Sequence, residues 1–473
     1  MHISIINKTK ERGILNMVLK KLTKNINEKG SVTLFVVVTM ILLLIIIFSI
    51  YARSKNKIID EQRQINKIQD EYGEDIDNAY AKSIQGIKTD GSYSEDKGVN
   101  TPKLKDGMEL VKYDEGSKTW VKDETNLEYS YEEQTGTTEN GGTSKWANAK
   151  VTIDGVESYF VWIPRYAYKI DSTNKTIDVK FIKGTGEEAV DGTKCKYADD
   201  PTLDTTKDYI IHPAFTTNAD LGGGWSAELP GLWIGKYESA RSDSEGTTQG
   251  TSTKIKIQPG VTSWRNEKIG DMYNYGINYS ADLQSHILKN SEWGAVAYLT
   301  HSKYGRNKTE VTINNNSNFI TGNAGNSISA SESTETNAYN TPKGMLASST
   351  GNVYGIYDLS GGANEYVVAY YNESTSSNLV DNGGSFASKG ETSTKYATAY
   401  TGTIESSTYK YGDATYETSR WNNNDADFVD SDYPFFFRGG RYNLTSSAGV
   451  FFYYSGNGIS SDSAGFRICL AVQ

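Results

Sequence analysis

The stretch "FRGGRYNLTSSAGVFFYYSGNGISSDSAGFRICL", residues 437–470, begins and ends on segments carrying Arg and Gly and fills the interval with Tyr, Phe, Asn and Ser. Gly439 and Gly440 stand where an aromatic strand must turn, because glycine alone enters positive φ without a steric penalty. Past them, Phe451, Phe452, Tyr453 and Tyr454 form one aromatic run. Side chains on a strand alternate between faces, so period two buries about half of such a run and leaves the rest outside. What the outer half is for depends on what surrounds it.

The composition narrows the function classes. The chain has 473 residues, enough for one large domain with accessory segments or for two domains. Apolar residues make up 37%, whereas there are 45 Gly and 33 Tyr, which favours a loop-rich fold with an aromatic, polar surface over a compact helical one. The formal net charge of -10 leaves no surplus of Lys and Arg to displace counterions from a phosphate backbone, so nucleic acid is excluded as a partner. Two cysteines, Cys195 and Cys469, are too few for a disulfide framework or a Cys-rich zinc site. They read as buried apolar thiols, with a single bridge between them as the alternative.

Residues 32–51, "VTLFVVVTMILLLIIIFSIY", are twenty in number and uncharged, the length of helix that crosses a bilayer. The expectation is a retained single-pass membrane helix with the C-terminal domain on the cell surface. Just before it, "EKGSVTLFVVV" places a basic leader, Gly30, Ser31 and an unbroken apolar run in sequence. This resembles a type IV prepilin signal, which implies a cut by a prepilin peptidase between Gly30 and Ser31 and association with other pilin-like subunits. The departure is Phe35, where such signals commonly carry glutamate. Beyond the apolar run, Ile58, Ile65 and Tyr72 stand seven apart with Ile68 beside them, a narrow seam that predicts a stalk helix.

The organisation expected is a basic leader at 1–30, a transmembrane helix and stalk at 31–74, a linker with a small β region at 75–144, and the main domain at 145–473. Within the β region, "GMELVKYDEGSKTWVKD" has the alternation of a short hairpin. In the main domain, "TIDVKFI" and "GLWIGKYES" alternate as strands do, and "SHILKNSEWGAVAYLTHSKYG" has helical spacing through Ile287, Leu288, Trp293, Val296, Ala297 and Leu299.

Five segments occur in order: "SEWGAVAYLTHSKYG" (291–305), "GNVYGIYDLSGGANEYV" (351–367), "NGGSFAS" (382–388), "FRGGRY" (437–442) and "GFRICL" (465–470). As an ordered set they resemble the formylglycine-generating enzyme (sulfatase-modifying factor) superfamily, and "YFVWIPRYAYKI" (159–170) looks like a bacterial and phage-associated branch of it. The resemblance covers 145–473 and implies an α+β, loop-rich, C-type-lectin-like domain. It also implies a test of activity, because the family's enzymes oxidise a substrate cysteine with copper held by two thiolates between the "RGG" and "GFR" segments. Between Arg438 and Arg467 this chain has no cysteine, and Tyr, Ser and Asn do not replace thiolates in soft copper chemistry. The expectation is a non-catalytic domain.

Other chemistry is poorly signalled. His2, His212, His286 and His301 are scattered and form no HxxxH or HExxH pair, and no nucleophile elbow supports a serine triad. Arg438 and Arg467 read as arginines that pin backbone carbonyls. Asp425, Asp427, Asp430 and Asp432 could supply oxygens to calcium, but they lack the glycine and terminal glutamate of an EF-hand loop, and a solvated acidic loop is the preferred reading.

What remains is recognition. The lectin-like scaffold also carries the variable C-terminal segment of diversity-generating-retroelement targets, which this ending resembles. The resemblance implies that Arg441, Tyr442, Asn443, Phe451, Tyr453, Tyr454 and Asn457 are displayed on the domain face. Tyr, Ser, Gly and Asn dominate antibody binding loops because Tyr gives large amphipathic contact at low entropic cost. The function expected is adhesin-type binding of an extracellular protein or glycan. The alternatives are an enzyme of the superfamily with other chemistry and a structural minor pilin subunit.

Overall fold

The computed structural model describes residues 40, 41, 43–47, 49–55, 57, 88–126, 128–134, 141–243, 254–335, 337–401 and 410–473. The chain divides into two compact units, Met1–Gln85 and Gly86–Gln473.

In the first unit the described residues, 40 to 57 with gaps, are helical. Among the described residues no helix is long and apolar enough to cross a membrane. A helix that crosses a bilayer core needs about 20 consecutive, predominantly apolar residues. The expectation of a single-pass anchor over 32–51, with the C-terminal domain held at the cell surface, is therefore corrected. Gly30, Ser31 and the seam at Ile58, Ile65, Ile68 and Tyr72 lie outside the described residues.

The second unit is α+β with many strands and few helices. Its twelve principal strands are β1 (Met108–Asp114), β2 (Thr119–Lys122), β3 (Asn148–Ile153), β4 (Val156–Pro164), β5 (Gly231–Gly235), β6 (Ser285–Ile287), β7 (Asn364–Tyr371), β8 (Thr398–Tyr400), β9 (Phe435–Gly439), β10 (Gly449–Gly456), β11 (Ala464–Phe466) and β12 (Ile468–Leu470). One antiparallel seven-stranded sheet has the order β6-β12-β5-β4-β3-β1-β2. A second sheet runs β8-β7-β9-β10, and β11 adds to β7 in parallel. A smaller three-stranded sheet pairs Tyr166–Asp171 with Thr176–Phe181 and Ile210–Ile211.

Local chemistry explains much of this. Asp154 and Gly155, at φ 52° and 77°, join β3 to β4 in the two-residue turn whose positive φ values suit the strand twist. The "MELVKYD" strand forms the expected hairpin with β2, and Val111 pairs with Asn148, so this hairpin extends the large sheet. Thr176–Phe181 alternates between half-buried and buried positions, as its period-two pattern predicts. β5 does not alternate, because it lies between β4 and β12 and all five of its residues are buried.

Helical spacing predicts a helix beginning near Ile287. Instead Ser285–Ile287 is strand β6, with His286 opposite Cys469, and the helix α2 (Asn290–His301) starts three residues later. An earlier helix, α1 (Ile269–Tyr279), precedes β6. Every residue of α2 is buried, its polar Asn290, Ser291, Glu292, Thr300 and His301 included. Its Trp293 Nε1–H donates to the Val450 carbonyl at 2.8 Å and ties α2 to β10.

Arg467 joins the two sheets. It lies between β11 and β12, is 1% exposed, and donates to both Glu365 oxygens of β7, to the Gly235 carbonyl of β5 at 2.8 Å and to the Tyr357 carbonyl at 2.9 Å. Arg438 donates to the Ala414 carbonyl at 3.0 Å. Both arginines pin backbone carbonyls, as read from their sequence positions.

Candidate functional site

Three neighbouring strands of the second sheet carry aromatic residues in register. Tyr366 of β7 stands opposite Phe437 of β9, and Phe437 stands opposite Tyr454 of β10. The Tyr366 and Phe437 rings lie 4.2 Å apart at 31°, and on β10 Phe452 and Tyr454 stack at 6.2 Å and 13°. Gly456 makes the arrangement feasible, because a Cβ there would come within 2.5 Å of the Phe437 ring. Together these rings line a groove of about 470 Å³.

Polar groups close its rim. Arg441, Asn457, Ser461, Ser463 and Asp425 line the groove with Leu444 and Ile459. The tight passage from β10 is shaped by Gly458 at φ 80° and by Asn457, whose Oδ1 accepts the Ile459 N–H at 3.4 Å while its carbonyl accepts from Asn382 at 2.9 Å. Tyr366 donates its hydroxyl to the Ile459 carbonyl at 3.3 Å, which fixes that ring from below. Tyr454, by contrast, is 46% exposed and Ile459 is 45% exposed. The groove thus offers a rigid aromatic floor, one exposed tyrosine and one exposed guanidinium.

The structure sorts the seven candidates by strand parity and position. Arg441, Tyr454 and Asn457 line the groove. Phe451 and Tyr453 point the other way into the core: Phe451 packs edge-on against Trp421 and His301, and the Tyr453 hydroxyl lies 3.1 Å from Ser419 Oγ. Tyr442 stacks edge-on against Phe319 at 4.9 Å, and neither it nor Asn443 lines the groove. Tyr366 and Phe437 were absent from the sequence-derived set. Their signal lies in the cross-strand register, which no single segment reveals.

Beneath the groove the polar chemistry is structural. Glu238, Asp358 and Glu365 are buried around Arg467, and burial pushes all three carboxyls up, Glu365 to about 7. Asp358 accepts from Asn314 at 2.8 Å and from the Gly322 N–H at 3.0 Å, which leaves this group braced rather than open to a ligand.

The acidic run does not converge. Asp427 accepts from Ser455 at 2.7 Å, and Asp430 accepts the N–H groups of Asp432 and Tyr433 at 2.7 and 2.8 Å. No three acidic groups of that run bring ligand atoms within 4.8 Å of one another among the described residues. Cys195 and Cys469 are both buried and unbridged, and burial pushes the Cys195 thiol up to about 11.

A second cleft of about 640 Å³ has Tyr168, Tyr411, Tyr416 and Glu417 in its wall. Its central carboxylate is already engaged: Glu417 accepts from the Tyr168 and Tyr298 hydroxyls, each at 3.0 Å, and from the Gly412 N–H at 2.6 Å. The two differ in lining: the cleft is walled mainly by Lys169, Asp171, Ser172, Thr205, Thr206 and Asp208 beside its tyrosines, the groove by the aromatic rings of β7, β9 and β10. Compared with known proteins, the chain matches no family model and no curated protein.

Proposed function

We propose that the second unit is a non-catalytic binding module of C-type-lectin-like, formylglycine-generating-enzyme-like type, whose recognition surface is the groove between β9, β10 and the turn after β10. The observation that carries this reading is the aromatic floor of Tyr366, Phe437, Phe452 and Tyr454 with Arg441 and Asn457 at its edge. Aromatic rings with a few convergent polar groups suit the apolar face of a sugar ring or the side chains of a protein epitope, and tyrosine supplies contact area with little entropy to lose. The segment between Arg438 and Arg467 contains no cysteine, which supports binding rather than copper-dependent oxidation.

The ligand class expected is a protein or a glycan. A screen of the full chain against arrayed glycans and proteins, beside Tyr454→Ala and Arg441→Ala, tests it. Specific binding that both variants lose while remaining folded supports the groove. Binding that both retain places recognition elsewhere.

A further inference from the structure

A second cluster lies apart from the groove, where the large sheet meets the first turn of α2. His286 of β6 and Cys469 of β12 are register partners, and Glu292 is the third residue of α2, three residues beyond its N-cap Lys289. All three side chains are fully buried, and one ligand atom from each lies within 4.8 Å of the others. The strand-to-helix turn therefore brings a nitrogen, a sulfur and a carboxylate to one enclosed point.

The hydrogen bonds specify what that point lacks. His286 Nδ1 is 2.9 Å from the Gln284 carbonyl, which can only accept, so Nδ1 carries a hydrogen. Nε2 lies 3.0 and 3.1 Å from the two Glu292 oxygens. A neutral imidazole in that tautomer would aim its lone pair at a carboxylate. Either a proton shared by Nε2 and Glu292 or a metal ion must occupy the space between them.

The third partner favours a metal. Cys469 Sγ faces the same point, which makes three donor atoms, one from each residue, while Glu292 Oε2 also accepts the Lys289 backbone N–H at 2.9 Å and is held in place by it. Nitrogen, thiolate and carboxylate together are ligands of zinc, whereas calcium and magnesium require oxygen shells. A ring N–H given to a backbone carbonyl is also how metal-bound histidines are oriented. The charges balance: a divalent ion would displace one proton from Nε2 and one from the thiol, so the net charge of the trio is unchanged. Lys289 is the other charge present, 3.7 Å from Glu292, but its ammonium is held by the Gly223 and Lys395 carbonyls at 2.6 and 3.1 Å and lies over the Trp225 ring.

We propose that His286, Glu292 and Cys469 form a buried three-ligand site for a zinc-class divalent ion. The site is independent of the groove and of any ligand bound there.

The test is elemental analysis of the full chain after incubation with zinc and removal of excess, beside His286→Gln, Cys469→Ser and the control Cys195→Ser. About one zinc ion per chain is expected in the unaltered protein and in the control, with a loss of about tenfold or more in the other two. Cobalt(II) in place of zinc should give a thiolate-to-cobalt absorption band, present in Cys195→Ser and absent from Cys469→Ser. If the two site variants do not fold, the band in the unaltered chain and in Cys195→Ser decides. An unaltered protein that takes up neither zinc nor cobalt overturns the proposal and leaves a proton-bridged His286–Glu292 pair. Zinc retained by folded His286→Gln and Cys469→Ser overturns it too.

Discussion

Phe437 and Tyr454 stand directly opposite each other on antiparallel β9 and β10, and Gly456, two residues beyond Tyr454, leaves the space over which the Phe437 ring lies. The floor of the groove depends on that missing side chain. Gly456→Ala puts a carbon 2.5 Å from the ring and forces it aside. Overpacking of this kind costs about 1–3 kcal/mol. Urea denaturation should show that loss, and ligand binding should weaken with it.

Neighbours on β10 should separate stability from recognition. Tyr453 is 6% exposed and Tyr454 is 46% exposed. Tyr453→Ala empties core space and should cost about 3 kcal/mol by analogy with other buried aromatic truncations. Tyr454→Ala should change stability by less than about 0.5 kcal/mol, as surface substitutions do. Comparing denaturation midpoints of the two variants checks both.

Breaking the tie between the sheets should be severe. Glu365→Gln removes the carboxylate that Arg467 contacts directly and leaves the buried guanidinium with its carbonyl partners and only the more distant Asp358 and Glu238. Removing one partner of a buried ion pair costs about 3–5 kcal/mol. Thermal melting of Glu365→Gln should show a correspondingly lower midpoint, whereas Lys118→Ala, which breaks an exposed pair with Glu115, should not move it.

Stability should fall as pH rises through neutrality. Burial raises the Glu417 carboxyl from its ordinary 4.5 to about 7, against the opposing pull of the Gly412 N–H. The folded protein then holds a proton that the unfolded chain has released. The contribution is fully present below about 4.5 and is lost as pH climbs through about 7. Glu365 shifts the same way. Glu417→Gln should therefore flatten, without abolishing, the decline in unfolding free energy measured between those two pH values.

Strand signals were legible where one face is wet and one is dry. Thr176–Phe181 and the "MELVKYD" hairpin could be read from period two alone. Ile287 and Leu288 could not be placed correctly, because apolar residues preceding an all-buried helix fit either period, and it was pairing with Ile468 that made a strand. Lys236 in "GLWIGKYES" gave no sign of being wholly buried. Its ammonium donates to the Val353 and Gly355 carbonyls at 2.6 and 2.8 Å and lies over the Trp120 ring, all from distant segments. The site was half legible for a related reason. The aromatic run at 451–454 could be seen, but its parity is set by pairing with Phe437, and that pairing decided that Tyr454 rather than Tyr453 faces the groove.

The central claim is that the groove binds, and the most direct measurement is the affinity of the full chain for its best ligand from the glycan and protein screen, by calorimetry, for the unaltered protein, Tyr454→Ala and Tyr442→Ala. The groove account predicts a loss of about tenfold or more for Tyr454→Ala, the scale at which an interface tyrosine matters, and little change for Tyr442→Ala, which lies outside the lining. Equal affinity of Tyr454→Ala and the unaltered protein would contradict it.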